Sequence, residues 1–255
     1  MSIPGQIAPR QDDPPYQSGE PVALFIPCYI DQFYPEVGKA CAELLRQQGC
    51  PVVFPEKQTC CGQPAFNSGY WDEARHVVHQ FREAFMGQRW IVCPSGSCTA
   101  MCRVFFGHVD GDEELVQAGR RVFELTEFLV DILGVTSTGA RFPHKTTMHI
   151  GCHGQRELGL TDQPVRLLQS VQDIEYVELP NIEECCGFGG TFSVKMAGTS
   201  LAMGKTKAEN ILSTGAEVVV SPDTSCLMHI HGIMQREEKM KHIRAMHIAE
   251  VLTQR

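Results

Sequence analysis

Apolar positions along this chain alternate between two kinds of segment. Short, nearly continuous apolar runs occupy residues 22–27 (Val-Ala-Leu-Phe-Ile-Pro), 52–55 (Val-Val-Phe-Pro) and 90–94 (Trp-Ile-Val-Cys-Pro). Runs of this length bounded by proline read as buried strands. Between them the spacing changes to that of a helix: Val37, Ala40, Cys41, Leu44 and Leu45 share one face, and Gly49 suits the stop. Residues 70–86 repeat the pattern through Tyr70, Ala74, Val77, Val78, Phe81 and Phe85. Residues 120–133 show it through Val122, Phe123, Leu125, Phe128, Leu129, Ile132 and Leu133, and further helices are expected over 163–171 and 199–213. Strands alternating with helices predict an α/β fold with mostly parallel sheets flanked by helices. Ligands of such sheets gather at the carboxyl ends of the strands.

The pattern is written twice. Cys28, Cys60-Cys61-Gly62 and Cys98 are followed by Cys152, Cys185-Cys186-Gly187 and Cys226, at offsets of 124, 125, 125 and 128 residues. The flanks recur in order: residues 147–151 precede Cys152, residues 176–180 precede the second Cys-Cys-Gly, and residues 218–222 precede Cys226. Two pseudo-symmetric duplicated halves are therefore expected, residues 21–140 and 141–255, after a poorly ordered leader over residues 1–20. The glycines and hydroxyl residues of 134–145 suit the junction.

Composition narrows the classes. The chain has 255 residues, 22 basic against 30 acidic, and 43% hydrophobic residues. That is enough apolar matter for a core, and a net charge of −8 gives no basic surface for nucleic acid. No apolar run near residue 1 resembles a signal peptide, and none is long enough to cross a bilayer, so a soluble cytoplasmic protein with no transmembrane segment is expected. Thiols stay reduced in that compartment, and clustered cysteines there point to metal or catalysis.

Twelve cysteines are present, and eight belong to the repeated series. Adjacent cysteines have Cα atoms about 3.8 Å apart, short of the roughly 4.4–6.8 Å of an ordinary disulfide. Two neighbouring thiolates repel and are best held together by a cation. Four thiolates per half are the usual set for a [4Fe–4S] cluster, and they also suit a tetrahedral zinc. Cys28, Cys60, Cys61 and Cys98 in one half and Cys152, Cys185, Cys186 and Cys226 in the other are therefore the candidate metal and cofactor ligands. Spread over three loops each, they need the fold to assemble them.

The segments Phe25-Ile26-Pro27-Cys28-Tyr29, Cys93-Pro94-Ser95-Gly96-Ser97-Cys98 and Cys185-Cys186-Gly187-Phe188-Gly189-Gly190 resemble the cysteine-rich Cys-Cys-Gly iron–sulfur family. That family includes the cysteine-rich component of heterodisulfide reductase and the iron–sulfur subunits of glycolate oxidase and anaerobic glycerol-3-phosphate dehydrogenase. The resemblance covers about residues 21–255 and is nearest to the lactate-utilisation members, which carry two motifs and no ferredoxin domain. It implies a [4Fe–4S] cluster in each half, with zinc as the alternative. It further implies an electron-transfer role in oxidising lactate to pyruvate, together with a ferredoxin-type iron–sulfur subunit and a third subunit. One departure matters. Heterodisulfide-reductase members end each motif in C-x₂-C, whereas here Ser95 and Asp223 stand three residues before Cys98 and Cys226. The fifth thiolate of a noncubane cluster is missing twice, which disfavours a thiol/disulfide enzyme.

Other features carry less. Cys41 and Cys50 read as core, Cys93 has Ser221 as its counterpart, and Cys102 follows Cys98 by one helical turn and could approach the site. His153, His229 and His231 lie beside the repeated cysteines and could tune a cluster by hydrogen bonding. Gly204-Lys205-Thr206 lacks the leading strand and spacing of a phosphate loop. No Ser-His-Asp order or carboxylate pair stands out for acid–base work, so no catalytic residue is assigned.

Overall fold

The computed structural model describes residues 15–255. Eight strands form two separate four-stranded sheets. The first contains β1 (Val22–Leu24), β2 (Val52–Val53), β3 (Trp90–Cys93) and β4 (Val122–Glu124), in the order β2-β1-β3-β4. The second contains β5 (Lys145–Met148), β6 (Glu175–Val177), β7 (Val218–Ser221) and β8 (Arg244–His247), in the order β6-β5-β7-β8. Every pairing is parallel, with Val22 opposite Val52 and Trp90 in one sheet and Thr146 opposite Tyr176 and Val218 in the other. The expected α/β duplication is present strand for strand.

Buried, all-apolar strands such as Trp90–Cys93 leave no alternation to read, because helices cover both faces of the sheet. Four of the expected helices form. Pro35–Gln47 buries Val37, Ala40, Cys41, Leu44 and Leu45, and Trp71–Ala84 buries Ala74, Val78 and Phe81. Gln163–Gln169 and Ala197–Ser213 cover the second sheet. The expectation over 120–133 needs correction. Val122, Phe123 and Glu124 are a fully buried strand that pairs with β3, with Ile91 opposite Val122. A helical turn, Leu125–Glu127, and a wider π-helical turn, Phe128–Ile132, follow it. A short apolar run has no period of its own, and the empty edge of β3 decides its state. The fourth strand of the second sheet, β8, has no signal in the apolar pattern.

Of the expected leader, residues 1–14 lie outside the described residues. Residues 15–20 are packed: the Tyr16 ring lies edge-on to Trp90 and Phe128, and Glu20 accepts the Trp90 indole N–H at 2.9 Å. The stretch between β4 and β5 crosses to the second half, where Gln172 donates to Ala140 and Phe142 donates back to Gln172.

The halves share a core. Val37, Leu44 and Leu45 of the first half join Leu167, Leu168, Ile248, Val251 and Leu252 of the second in one buried cluster. Helix Pro35–Gln47 thus packs against the last helix, Ile248–Leu252. Among the described residues, no helix is long and apolar enough to cross a membrane.

Candidate metal centre

In each sheet the first strand has the second on one side and the third on the other. The chain switches direction of travel there, so a crevice opens at the carboxyl ends. The cysteines occupy those ends. Cys28 opens a short helix after β1, Cys60 and Cys61 follow β2, and Cys98 lies in helix Gly96–Ala100 after β3. Cys152, Cys185-Cys186 and Cys226 occupy the matching places after β5, β6 and β7.

The two sets face one another. All eight sulfur-bearing side chains line a single solvent-open cleft between the halves. Within it Cys28 Sγ lies 3.7 Å from Cys60 Sγ, Cys61 Sγ 3.4 Å from Cys98 Sγ, and Cys152 Sγ 3.9 Å from Cys185 Sγ. All twelve cysteines are free thiols.

The glycine of each motif shapes its turn. Gly62 and Gly187 have φ of 85° and 88°, the left-handed region that favours glycine. This conformation aims the Gly62 N–H at Cys60 Sγ (3.4 Å) and the Gly187 N–H at Cys185 Sγ (3.3 Å), and Phe188 N–H reaches Cys186 Sγ at 3.5 Å. Sulfur and N–H donors together hold Cys60 and Cys185 well below the ordinary thiol value. Cys28 and Cys152, which donate to them, are pushed up, as sulfur neighbours and burial also do to Cys61 and Cys186. Each half thus favours the thiolate at one cysteine, Cys60 or Cys185, beside neighbours pushed toward the protonated form, whose protons a bound cation would displace.

The halves meet at Ser95 and Asp223, the positions where a fifth thiolate is missing. Asp223 Oδ2 accepts from Ser95 Oγ (3.2 Å) and from Ser97 N–H (2.9 Å), and its Oδ1 accepts from Ser225 N–H (3.1 Å) and Ser225 Oγ (2.6 Å). Gly96 and Gly154 touch nearby: a Cβ on Gly96 would lie 3.2 Å from Gly154 Cα. Tyr29 meets Phe188 edge-on at 5.5 Å, and Ser68 donates to Thr191 across the cleft.

Four thiols per half suit either a [4Fe–4S] cluster or a single zinc ion. A tetrahedral zinc with bonds of about 2.3 Å keeps its four sulfurs about 3.8 Å apart. Among the described residues, the only trio of metal-binding side chains with donor atoms all within 4.8 Å of one another is His149, Cys186 and Cys226. The four sulfurs of the first half are spread wider than a single zinc would hold them.

A model of the family described as "Cysteine-rich domain" (CCG) matches residues 22–103 and again residues 146–231. The chain belongs to this cysteine-rich Cys-Cys-Gly family, in two copies. Curated relatives agree. The chain is 47% identical over 238 residues to Lactate utilization protein A of Geobacillus thermodenitrificans (strain NG80-2), covering 92% of this chain and 99% of the relative. It is 44% identical over 238 residues to Lactate utilization protein A of Bacillus subtilis (strain 168), again covering 92% and 99%. In structure it resembles a hypothetical protein from Helicobacter pylori with a TM-score of 0.59, at 7% identity, covering 94% of this chain and 52% of that one. That likeness concerns the fold alone.

The family's eight motif cysteines are thus brought to one cleft. Cys93 and Cys102 are not among its lining residues; both are buried in the apolar cluster around Phe25, Phe81 and Phe106. Cys41 and Cys50 lie in the shared core. Of the flagged histidines, His153 lines the cleft and pairs with Glu157 at 3.3 Å, while His229 lies 3.4 Å from Ser200 Oγ. Gly204-Lys205-Thr206 sits inside helix Ala197–Ser213, as its rejection as a phosphate loop requires.

His149 is not among the flagged histidines. It is fully buried, neither ring nitrogen has a hydrogen-bond partner, and burial followed by nearby Lys207 pushes its pKa down to about 4. It is a neutral imidazole beside two of the sulfurs. Only comparison with the same step of the first half, which carries Phe25, singles it out.

Proposed function

We propose that the chain is an iron–sulfur electron-transfer subunit of a cytoplasmic complex that oxidises L-lactate to pyruvate, or a closely related 2-hydroxy acid to its 2-oxo acid. The observation that carries this is the convergence of eight thiols, in two sets of four, on one cleft. The relatives named Lactate utilization protein A supply the substrate class. Cys28, Cys60, Cys61 and Cys98 would hold one [4Fe–4S] cluster, and Cys152, Cys185, Cys186 and Cys226 the other. Bound there, each cluster supplies one-electron chemistry.

The chain's own residues prepare the sites. Cys60 and Cys185 offer ready thiolates, and the N–H groups of Gly62, Gly187 and Phe188 hold sulfur lone pairs in place. Tyr29 and Phe188 shield the cleft. Lactate loses two electrons and two protons on becoming pyruvate, and two one-electron sites match that count. A ferredoxin-type subunit and a third subunit would complete the complex.

Ser95 and Asp223 argue against a thiol/disulfide enzyme. They stand where a fifth thiolate would be, and they bond to each other. Zinc is favoured by the trio His149, Cys186 and Cys226 and by the three sulfur pairs at 3.4–3.9 Å, though no three sulfurs of the first half come that close together. Protein purified without oxygen should be brown, absorb broadly near 400 nm, and carry about eight iron and about eight sulfide per chain. Colourless protein with stoichiometric zinc would overturn the reading.

A further inference from the structure

The two sites differ where the pseudo-symmetry predicts they should match. Phe25 and His149 take the same step after the first strand of each sheet: Phe25 N–H donates to Val92 O at 2.9 Å, and His149 N–H to Val220 O at 2.8 Å. The motif glycines align the covering helices in the same way. A Cβ on Gly62 would meet Ala74, Val77 and Val78, and one on Gly187 would meet Ser200, Met203 and Gly204. Each of those pairs is 126 residues apart, as 200 − 74, 203 − 77 and 204 − 78 show, and the same offset carries Phe81 to Lys207.

Phe25 and Phe81 are buried phenyl rings with centroids 5.0 Å apart. Their counterparts, His149 and Lys207, are equally buried and close enough to interact electrostatically. Lys207 Nζ donates to Asn181 O at 2.6 Å, and it feels the charges of Glu184, Cys186, Glu183 and Cys185. A buried lysine and an unpartnered imidazole are costly in a core: the lysine needs a negative charge to hold its proton, and the imidazole needs a hydrogen-bond partner. The sulfurs of Cys186 and Cys226, within 4.8 Å of a His149 ring nitrogen, are that charge once deprotonated.

We propose that His149 and Lys207 make the second-half site the stronger electron acceptor of the two: His149 places a buried ring nitrogen beside the sulfurs of Cys186 and Cys226, and Lys207 lies buried within electrostatic reach of Cys186 and Cys185, where the first half has the phenyl rings of Phe25 and Phe81. The inference rests on the iron–sulfur reading above. Reduction adds one negative charge to whatever the thiolates hold. Positive charge and N–H donors near sulfur favour that state, and an apolar shell disfavours it. The asymmetry gives the cleft a direction: one electron entering either site settles on the second-half side. His149 and Lys207 are positioning residues in this role.

The test is a dithionite titration of the anaerobic protein, followed by electron paramagnetic resonance. The two signals are assigned with variants that lack Cys60 and Cys61 or Cys185 and Cys186. The wild-type second-half site should be reduced first. His149→Phe, which copies the first half, and Lys207→Met should each make reduction of that site at least tenfold less favourable, about 59 mV for one electron, and leave the first-half signal in place. His149→Gln, which keeps an N–H donor, should restore most of the shift. Equal wild-type potentials, or a second-half potential unmoved in both variants that still bind about eight iron, would overturn the inference and leave the iron–sulfur reading intact. Protein that carries zinc or no iron would overturn that reading and this one with it.

Discussion

Asp223 in the second half accepts a hydrogen bond from Ser95 in the first at 3.2 Å, across 128 residues of chain. The two residues occupy matching places in the repeat, three before the last cysteine of each set. At these positions the chain has built a junction between its halves. Asp223 is 2% exposed, and its two oxygens together accept four hydrogen bonds. It ties the halves together and caps helix Thr224–Met234.

Asp223→Ala should cost about 3 kcal/mol, because it removes a charged acceptor and a helix cap and strands the Ser97 N–H. For a chain this size that is roughly 6–12 °C in melting temperature. Asp223→Asn, which keeps one acceptor oxygen, should lose less. Calorimetry decides it, and a melting point within about 2 °C of wild type for the alanine variant would remove Asp223 as the tie.

The two motif glycines should respond unequally to alanine. At Gly187 a Cβ would lie 2.6 Å from Ser200 O and 2.8 Å from Met203 Cβ, so backbone must move and the second site should lose its metal. At Gly62 the nearest neighbour is 3.4 Å away, which leaves only the left-handed strain of about 1–2 kcal/mol. Iron per chain in the two variants tests this, and equal losses would contradict it.

Glu124 is fully buried with Oε1 unpaired, and burial pushes its pKa from the ordinary 4.5 up to about 8. Below pH 4.5 the carboxyl is neutral in both folded and unfolded chains. Between 4.5 and 8 the unfolded chain releases the proton while the folded chain keeps it, so stability falls as pH rises through that window. Glu124→Gln should stabilise the protein at pH 8 and flatten this part of the profile. Urea unfolding at pH 5 and pH 8 provides the measurement, and an unchanged slope in the variant would refute the assignment.

Cys93→Ala and Cys102→Ala should keep full iron, since both thiols are buried away from the cleft in an apolar cluster. Cys98→Ala and Cys226→Ala should each lose about half the iron. Iron analysis of the four purified variants separates the groups, and a loss in Cys102→Ala matching that of Cys98→Ala would add Cys102 to the ligands.

The duplication, the strands that lead into each cysteine and the four amphipathic helices are legible in the sequence because their signals are local. A helix face repeats within eight residues, and a Cys-Cys-Gly turn is complete in three. Residues 122–124 mislead for the converse reason. A three-residue segment, Val-Phe-Glu, is too short to show a period, and each residue's partner in β3 lies 31 positions earlier. His149 stands at the repeat position of Phe25, three residues before the first cysteine of its set, but its burial beside Cys186 and Cys226 depends on strands and loops far apart in the chain.

By itself the chain determined that there are two halves and which four thiols each repeat presents, since covalent order and short-range periodicity carry both. Only the tertiary structure decided that the two sets open on one cleft, that Ser95 meets Asp223, and that a histidine and a lysine replace two phenylalanines behind the second set. Those relationships depend on how the shared core packs helix Pro35–Gln47 against Ile248–Leu252. Burial of apolar surface sets that arrangement without leaving a pattern along the sequence.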